Sequence, residues 1–165
     1  MSEIFSNIGK IITNYGHLYV DGALGTLMMS AFAVLVGSVL GTLIATMKMS
    51  RLSLGRVRPL SLLATLYIEV IRGTPLMVQM YLFYFLIPMV FPAFNTSANF
   101  SIIVALVLNS GAYMSEIIRS GIEAVDKGQT EASRSLGLSS RQTMFRIVLP
   151  QAIKNILPAM CNEFI

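Results

Sequence analysis

The sequence predicts an all-α integral membrane protein, and three observations carry that prediction. Hydrophobic residues make up 55% of the 165-residue chain and charged residues only 12%, about half the charge share of a soluble domain. Mean hydropathy is +0.70. Residues 22–47 contain no charge at all, and residues 59–115 contain only Glu69 and Arg72. A water-soluble domain of this size cannot hide so much apolar surface, and disorder, coiled coil and a disulfide scaffold need compositions this chain lacks. The lone Cys161 cannot form an internal bridge and reads as a small buried hydrophobe.

The elements follow in chain order. Residues 1–20 place Ile4, Phe5, Ile8, Ile11, Ile12, Tyr15, Leu18 and Tyr19 at helical spacing, opposite Ser6, Asn7, Lys10, Asn14 and His17. This is the pattern of an interfacial helix on the outer surface, with His17 solvated on the polar face. It has neither the basic start nor the cleavage site of a signal peptide. Residues 22–47 form the first span, about 39 Å as helix against a hydrocarbon core of about 30 Å. Gly37, Gly41 and Ala45 recur every fourth residue, a stripe that admits close helix packing.

The 59–115 stretch is too long for one crossing. Pro88, Pro92 and the Asn95–Ser97 cluster mark its turn, giving spans over residues 60–91 and 101–118. The first of these is long, so it is either strongly tilted or broken near Gly73-Thr74-Pro75, where proline disfavours helix at Thr74 and removes a backbone donor. Lys48, Arg51, Arg56 and Arg58 make residues 48–58 cytoplasmic. Arg119, Lys127, Arg134, Arg141, Arg146 and Lys154 do the same for residues 119–154. Three crossings then leave the N-terminus outside. The apolar run restarts at Ile156 and reaches Ile165, about 15 Å as helix and half a crossing. The expected fold is one transmembrane domain of three full spans plus the start of a fourth.

The 119–150 loop is patterned. Asp126 caps a short helix from Lys127, and Gly137 is its left-handed stop. Ser139 with Gln142 forms a capping box for a second helix, which Pro150 is expected to end. Leu136 and Leu138 flank the bend and need something to receive them, the signature of a docking surface.

Here the chain resembles a known family. Glu131-Ala132-Ser133, three residues, Gly137, nine residues, then Ile147-x-Leu149-Pro150 match the EAA motif of bacterial ABC-importer permeases, with Ser133 where that family usually has alanine. Ile71-Arg72-Gly73-Thr74-Pro75-Leu76-x-Val78-Gln79, the run Asn109–Ile122, Asp126–Gln129 and Asn162–Ile165 are similar to the polar amino acid subfamily (histidine/glutamine type). The resemblance covers residues 21–165. It implies a type I permease bundle in a bacterial inner membrane, here incomplete because the family carries two further spans after the loop. Such a chain is not expected to transport alone.

The resemblance also implies the partners. They are ABC ATP-binding subunits holding ATP and magnesium, a second permease subunit, identical or paralogous, an external solute-binding protein, and an amino acid substrate. Glu131, Ala132, Ser133, Leu136, Gly137, Leu138, Ile147, Leu149 and Pro150 would couple to the ATPase. No GKS/T phosphate loop exists in the chain, so ATP is not expected to bind here. Nor is a catalytic constellation, a metal site or a nucleic acid partner expected. The eleven methionines read as packing.

Glu69, Arg72, Gln79, Asn109 and Glu116 are the candidate translocation-path residues. An ion in mid-membrane costs about 2.5–3.5 kcal/mol on insertion scales, so such groups face a cavity, a partner or each other. Glu69 and Arg72, three apart, are read either as path-lining or as an ion pair bracing a helix break. Glu116 and Arg119 have the same spacing and are read as an interfacial pair. Two readings from other classes stand beside the importer: a helical scaffold whose elbow recruits a cytosolic partner, and an ATP-independent carrier or channel.

Overall fold

A computed structural model describes residues 2–50, 52–53, 58–92 and 97–164. Arg51, Arg56 and Asn95, which contribute to the loop readings above, lie outside them, as do the side chains of Phe5, Ser6 and Ile8. The described residues are nearly all helical. Helix α1 is Ser2–Lys48, α2 Pro59–Gly73, α3 Leu76–Tyr81, α4 Ile87–Val90, α5 Ala98–Glu123, α6 Lys127–Ser135, α7 Ser140–Thr143 and α8 Leu149–Phe164. Two π-helical turns, Leu82–Leu86 and Met144–Val148, join α3 to α4 and α7 to α8.

Helix α5 is the axis of the bundle, and α1, α2, α3 and α8 all pack on it. The glycine stripe makes the α1 contact possible. A Cβ on Gly41 would lie 2.5 Å from the Met114 Cβ and 2.9 Å from the Gly111 carbonyl oxygen, and one on Gly37 would lie 2.7 Å from the Ser110 hydroxyl. Ala45 completes the stripe, fully buried. Below it Ile44, Ala64 and Ile68 form a small core, with Leu40, Met47 and Tyr67 packed around it. The Tyr67 hydroxyl donates to the Leu108 carbonyl at 2.6 Å, tying α2 to α5. Gly121 of α5 receives Ile156 of α8 in the same close manner.

Two helices, over Gly9–Lys48 and Ala98–Glu123, are long and apolar enough to cross a membrane. The stretch from Pro59 to Val90 qualifies as a third only as a pair of helices bent by 102° at the break. Of the two readings of this stretch, tilt or break, the break is the one present.

Three sequence expectations differ from the fold. Residues 1–20 are not a separate helix, because α1 runs unbroken through Asp21. Nothing there interrupts it: no proline precedes Pro59, and glycine costs a helix only about 1 kcal/mol. Pro150 does not end a helix either. The chain stays helical from Ser140 to Phe164 because the π turn shifts the ladder just before the proline, the Leu149 N–H reaching back to the Met144 carbonyl. Pro150 then stands where a donor is not required. Cys161 is exposed, not buried.

Candidate functional site

The most ordered polar feature is the elbow at residues 126–148. The Asp126 carboxylate accepts from the Gly128 N–H at 2.6 Å and starts α6. Gly137 ends it at φ +85°, the only positive φ among the described residues. Around it the Leu138 N–H reaches the Ser133 carbonyl (3.1 Å) and the Gly137 N–H the Arg134 carbonyl (3.0 Å). This is a complete Schellman closure. The Ser139 capping box forms in both directions: Gln142 N–H to the Ser139 hydroxyl at 3.3 Å, Ser139 N–H to the Gln142 side-chain oxygen at 2.8 Å. Arg134 adds a bond to the Leu138 carbonyl at 2.8 Å.

One contact across the elbow was not legible from spacing. The Ser133 hydroxyl donates to the Thr143 hydroxyl at 3.0 Å, and both residues are buried. Ser133 therefore locks α6 to α7 inside the bend rather than facing outward with Glu131 and Ala132, which are exposed. Leu136 is 81% exposed at the tip. Leu138, Ile147 and Leu149 are half-buried and Pro150 is exposed.

The membrane-region candidates separate into three places. Gln79 is buried at the break, its amide donating to the Ile71 carbonyl (2.7 Å), the Thr74 carbonyl (3.0 Å) and the Thr74 hydroxyl (3.0 Å). It braces the bend. Glu69 and Arg72 are both exposed, and they are not an ion pair among the described residues. Arg72 instead lies over the Tyr113 ring at 4.9 Å from its centre, a cation–π contact.

Glu116 faces charge rather than open space. It binds Lys48 at the end of α1 (2.5 Å) and Arg119 one turn on (2.8 Å), and Arg119 also binds Glu123. The Glu116–Arg119 pair matches its spacing. Lys48, 68 positions away in sequence, could not be foreseen from spacing.

Asn109 lines a cavity. This space of about 220 Å³ lies between α1, α3, α5 and α8, with Ser30, Asn109, Ser110 and Glu163 among apolar walls that include Ala33, Leu76 and Leu106. The Ser110 hydroxyl is buried with no hydrogen-bond partner among the described residues. Arg72 is near enough to Glu163 for their charges to interact. In the sequence Glu163 stands out only within the Asn162–Ile165 resemblance. The signal available was an acid inside an apolar run, which by cost alone belongs in a polar space.

Residues 37–165 match the family described as "Binding-protein-dependent transport system inner membrane component". A candidate glutamine transport system permease protein, GlnP, of Rickettsia bellii is 45% identical over 150 residues, covering 88% of this chain and 64% of that protein. The arginine transport system permease protein ArtQ of Bacillus subtilis is 41% identical over 146 residues, with the same coverage. A solved amino acid ABC transporter, crystallised with histidines, superposes with a TM-score of 0.85 at 46% identity, over 93% of this chain and 68% of its own. The chain thus spans just under two thirds of the curated relatives it matches most strongly.

Proposed function

The chain belongs to the family of binding-protein-dependent transport system inner membrane components, and from that premise we propose that it is the membrane-spanning subunit of an ATP-driven amino acid importer. The observation that carries the proposal is the elbow. Its helices are capped, locked and closed by their own groups, yet Leu136 is left bare at the tip. In this reading an ABC ATPase receives that tip. Glu131, Ala132, Leu136 and Leu138 form the contact, Ser133 and Gly137 hold its shape, and the continuous helix through Ile147, Leu149 and Pro150 carries movement into α8. ATP and magnesium sit on the ATPase.

The topology fits. Basic residues on both sides of the α2–α5 region put Lys48, Arg58 and the elbow in the cytoplasm, with the N-terminus outside a bacterial inner membrane. A second permease subunit completes the path, and an external binding protein delivers the solute. The substrate is a polar amino acid, as in the relatives named for glutamine and arginine. The cavity suits it: Glu163 supplies a carboxylate for an ammonium group, Asn109 and Ser110 supply hydrogen bonds, and Arg72 stands close by. ATP closure would rock the spans between inward- and outward-facing states.

The test is Gly137→Asp, which puts a side chain at a left-handed position and a carboxylate on the docking tip. Purified from membranes, the variant is expected to insert as wild type, to lose the co-purifying ATPase and to lose ATP-dependent amino acid uptake. Uptake at the wild-type rate removes the elbow's coupling role. Recovery of a cytosolic partner that is not an ATPase favours a scaffold, and solute flux without ATP favours a carrier.

A further inference from the structure

The break between α2 and α3 sets a problem that the backbone cannot solve by itself. Helix α2 stops at Gly73, Thr74 is extended (φ −111°, ψ 136°), and α3 starts after Pro75. In a continuing helix the Ile71 carbonyl would accept from the N–H of residue 75. Residue 75 is proline and has none. In an apolar surrounding no water replaces it. The Thr74 hydroxyl is already bonded to the Val70 carbonyl at 2.9 Å and reaches Ile71 only at 3.3 Å.

Gln79 fills the vacancy. It sits one turn into α3, and helical side chains lean toward the N-terminus, so its amide points back across the break. The Nε2 group donates to the Ile71 carbonyl at 2.7 Å and to the Thr74 carbonyl at 3.0 Å, so a side chain of α3 holds the last turn and the C-cap of α2. The carboxamide is 97% buried by its residue exposure of 3%. Its Oε1 has no partner among the described residues, so the side chain is held by its donors alone. The Pro75–Gln79 spacing is thus one device, in which the proline removes a donor and the glutamine four residues on returns it.

We propose that Gln79 is the positioning residue of the α2–α3 break: its side-chain amide stands in for the missing Pro75 N–H and holds the two arms at their 102° bend. Through that angle it sets where Arg72, on the last turn of α2, stands relative to Tyr113 and to the cavity next to Leu76. A side chain of equal length without an N–H donor releases the angle. This holds whether or not the chain moves amino acids, because it concerns the shape of the bend.

The experiment is a distance measurement between spin labels at Leu62 on α2 and Met89 on α4, both exposed. It is done in the intact permease in lipid nanodiscs, in a background that carries Cys161→Ser and no other reactive thiol. The arms are about 18 and 21 Å long at 1.5 Å per residue, so an opening of about 20° lengthens the separation by about 5 Å. Gln79→Met is expected to lengthen and broaden the distribution by that order, with the two labels at wild-type separation in Thr74→Ser. A folded Gln79→Met protein with the wild-type distribution overturns the proposal. If Gln79→Met does not fold, Gln79→Asn decides. Its amide is one methylene shorter and falls short of the Ile71 carbonyl now held at 2.7 Å, and it is expected to give a smaller lengthening; a wild-type distance there overturns the proposal equally.

Discussion

The bends at Gly137 and at Thr74-Pro75 are solved by different chemistry. The elbow uses the backbone: a left-handed glycine, a Schellman closure and a capping box, with water available to its remaining groups. The break uses a proline to stop the helix and one buried amide to collect the carbonyls left behind. The difference follows from the surroundings. Residues 126–142 are polar, while the stretch over α2–α4 is apolar enough to pass as a bent span. Where water is present, an unmade bond costs little. Where it is absent, each orphaned group costs about 1–3 kcal/mol.

That contrast orders the substitutions. Gln79→Met is expected to cost the most, about 2–3 kcal/mol, since the Thr74 carbonyl loses its side-chain donor in an apolar setting and the Ile71 carbonyl keeps only a weak one. Denaturant unfolding in mixed micelles reads it, and a loss no larger than at the elbow would erase the contrast. Gly137→Val comes next at about 1–2 kcal/mol, the strain of a left-handed side chain. The same titration checks it, with no change expected in the Leu62–Met89 separation. Ser139→Ala is smallest, about 1 kcal/mol for a solvent-facing cap. Its mark is faster amide hydrogen exchange confined to the first turn of α7. Exchange that spread to α2 would mean the two bends are not independent.

The elbow was legible almost residue by residue, because caps, glycine stops and capping boxes are local and their partners lie within five positions. Asp126, Gly137, Ser139 and Gln142 all take the roles their spacing suggested. The break was legible as one of two alternatives. Local propensity marked Pro75 but said nothing of how the lost bond would be replaced, so Gln79 was read as path-lining.

Asp21 reads as a boundary where charge marks the water line, yet backbone hydrogen bonding carries α1 straight through it. Pro150 looked like a terminator because α geometry was assumed, and a π turn removes the conflict. Lys48 with Glu116, Ser133 with Thr143, and Glu163 beside Asn109 depend on tertiary proximity, which spacing along one helix does not encode.

The π turn at Met144–Val148 has a consequence for length variation. A π turn carries one residue more than an α turn over the same rise. Removing a single residue from it leaves an ordinary helix, with the elbow and α8 still facing the same directions. Removing one residue elsewhere between Leu149 and Phe164 turns everything beyond the cut by about 100° relative to what precedes it. Insertions and deletions near the elbow should therefore be tolerated in this turn first. Chains one residue shorter there would keep Leu136 aimed at the same target.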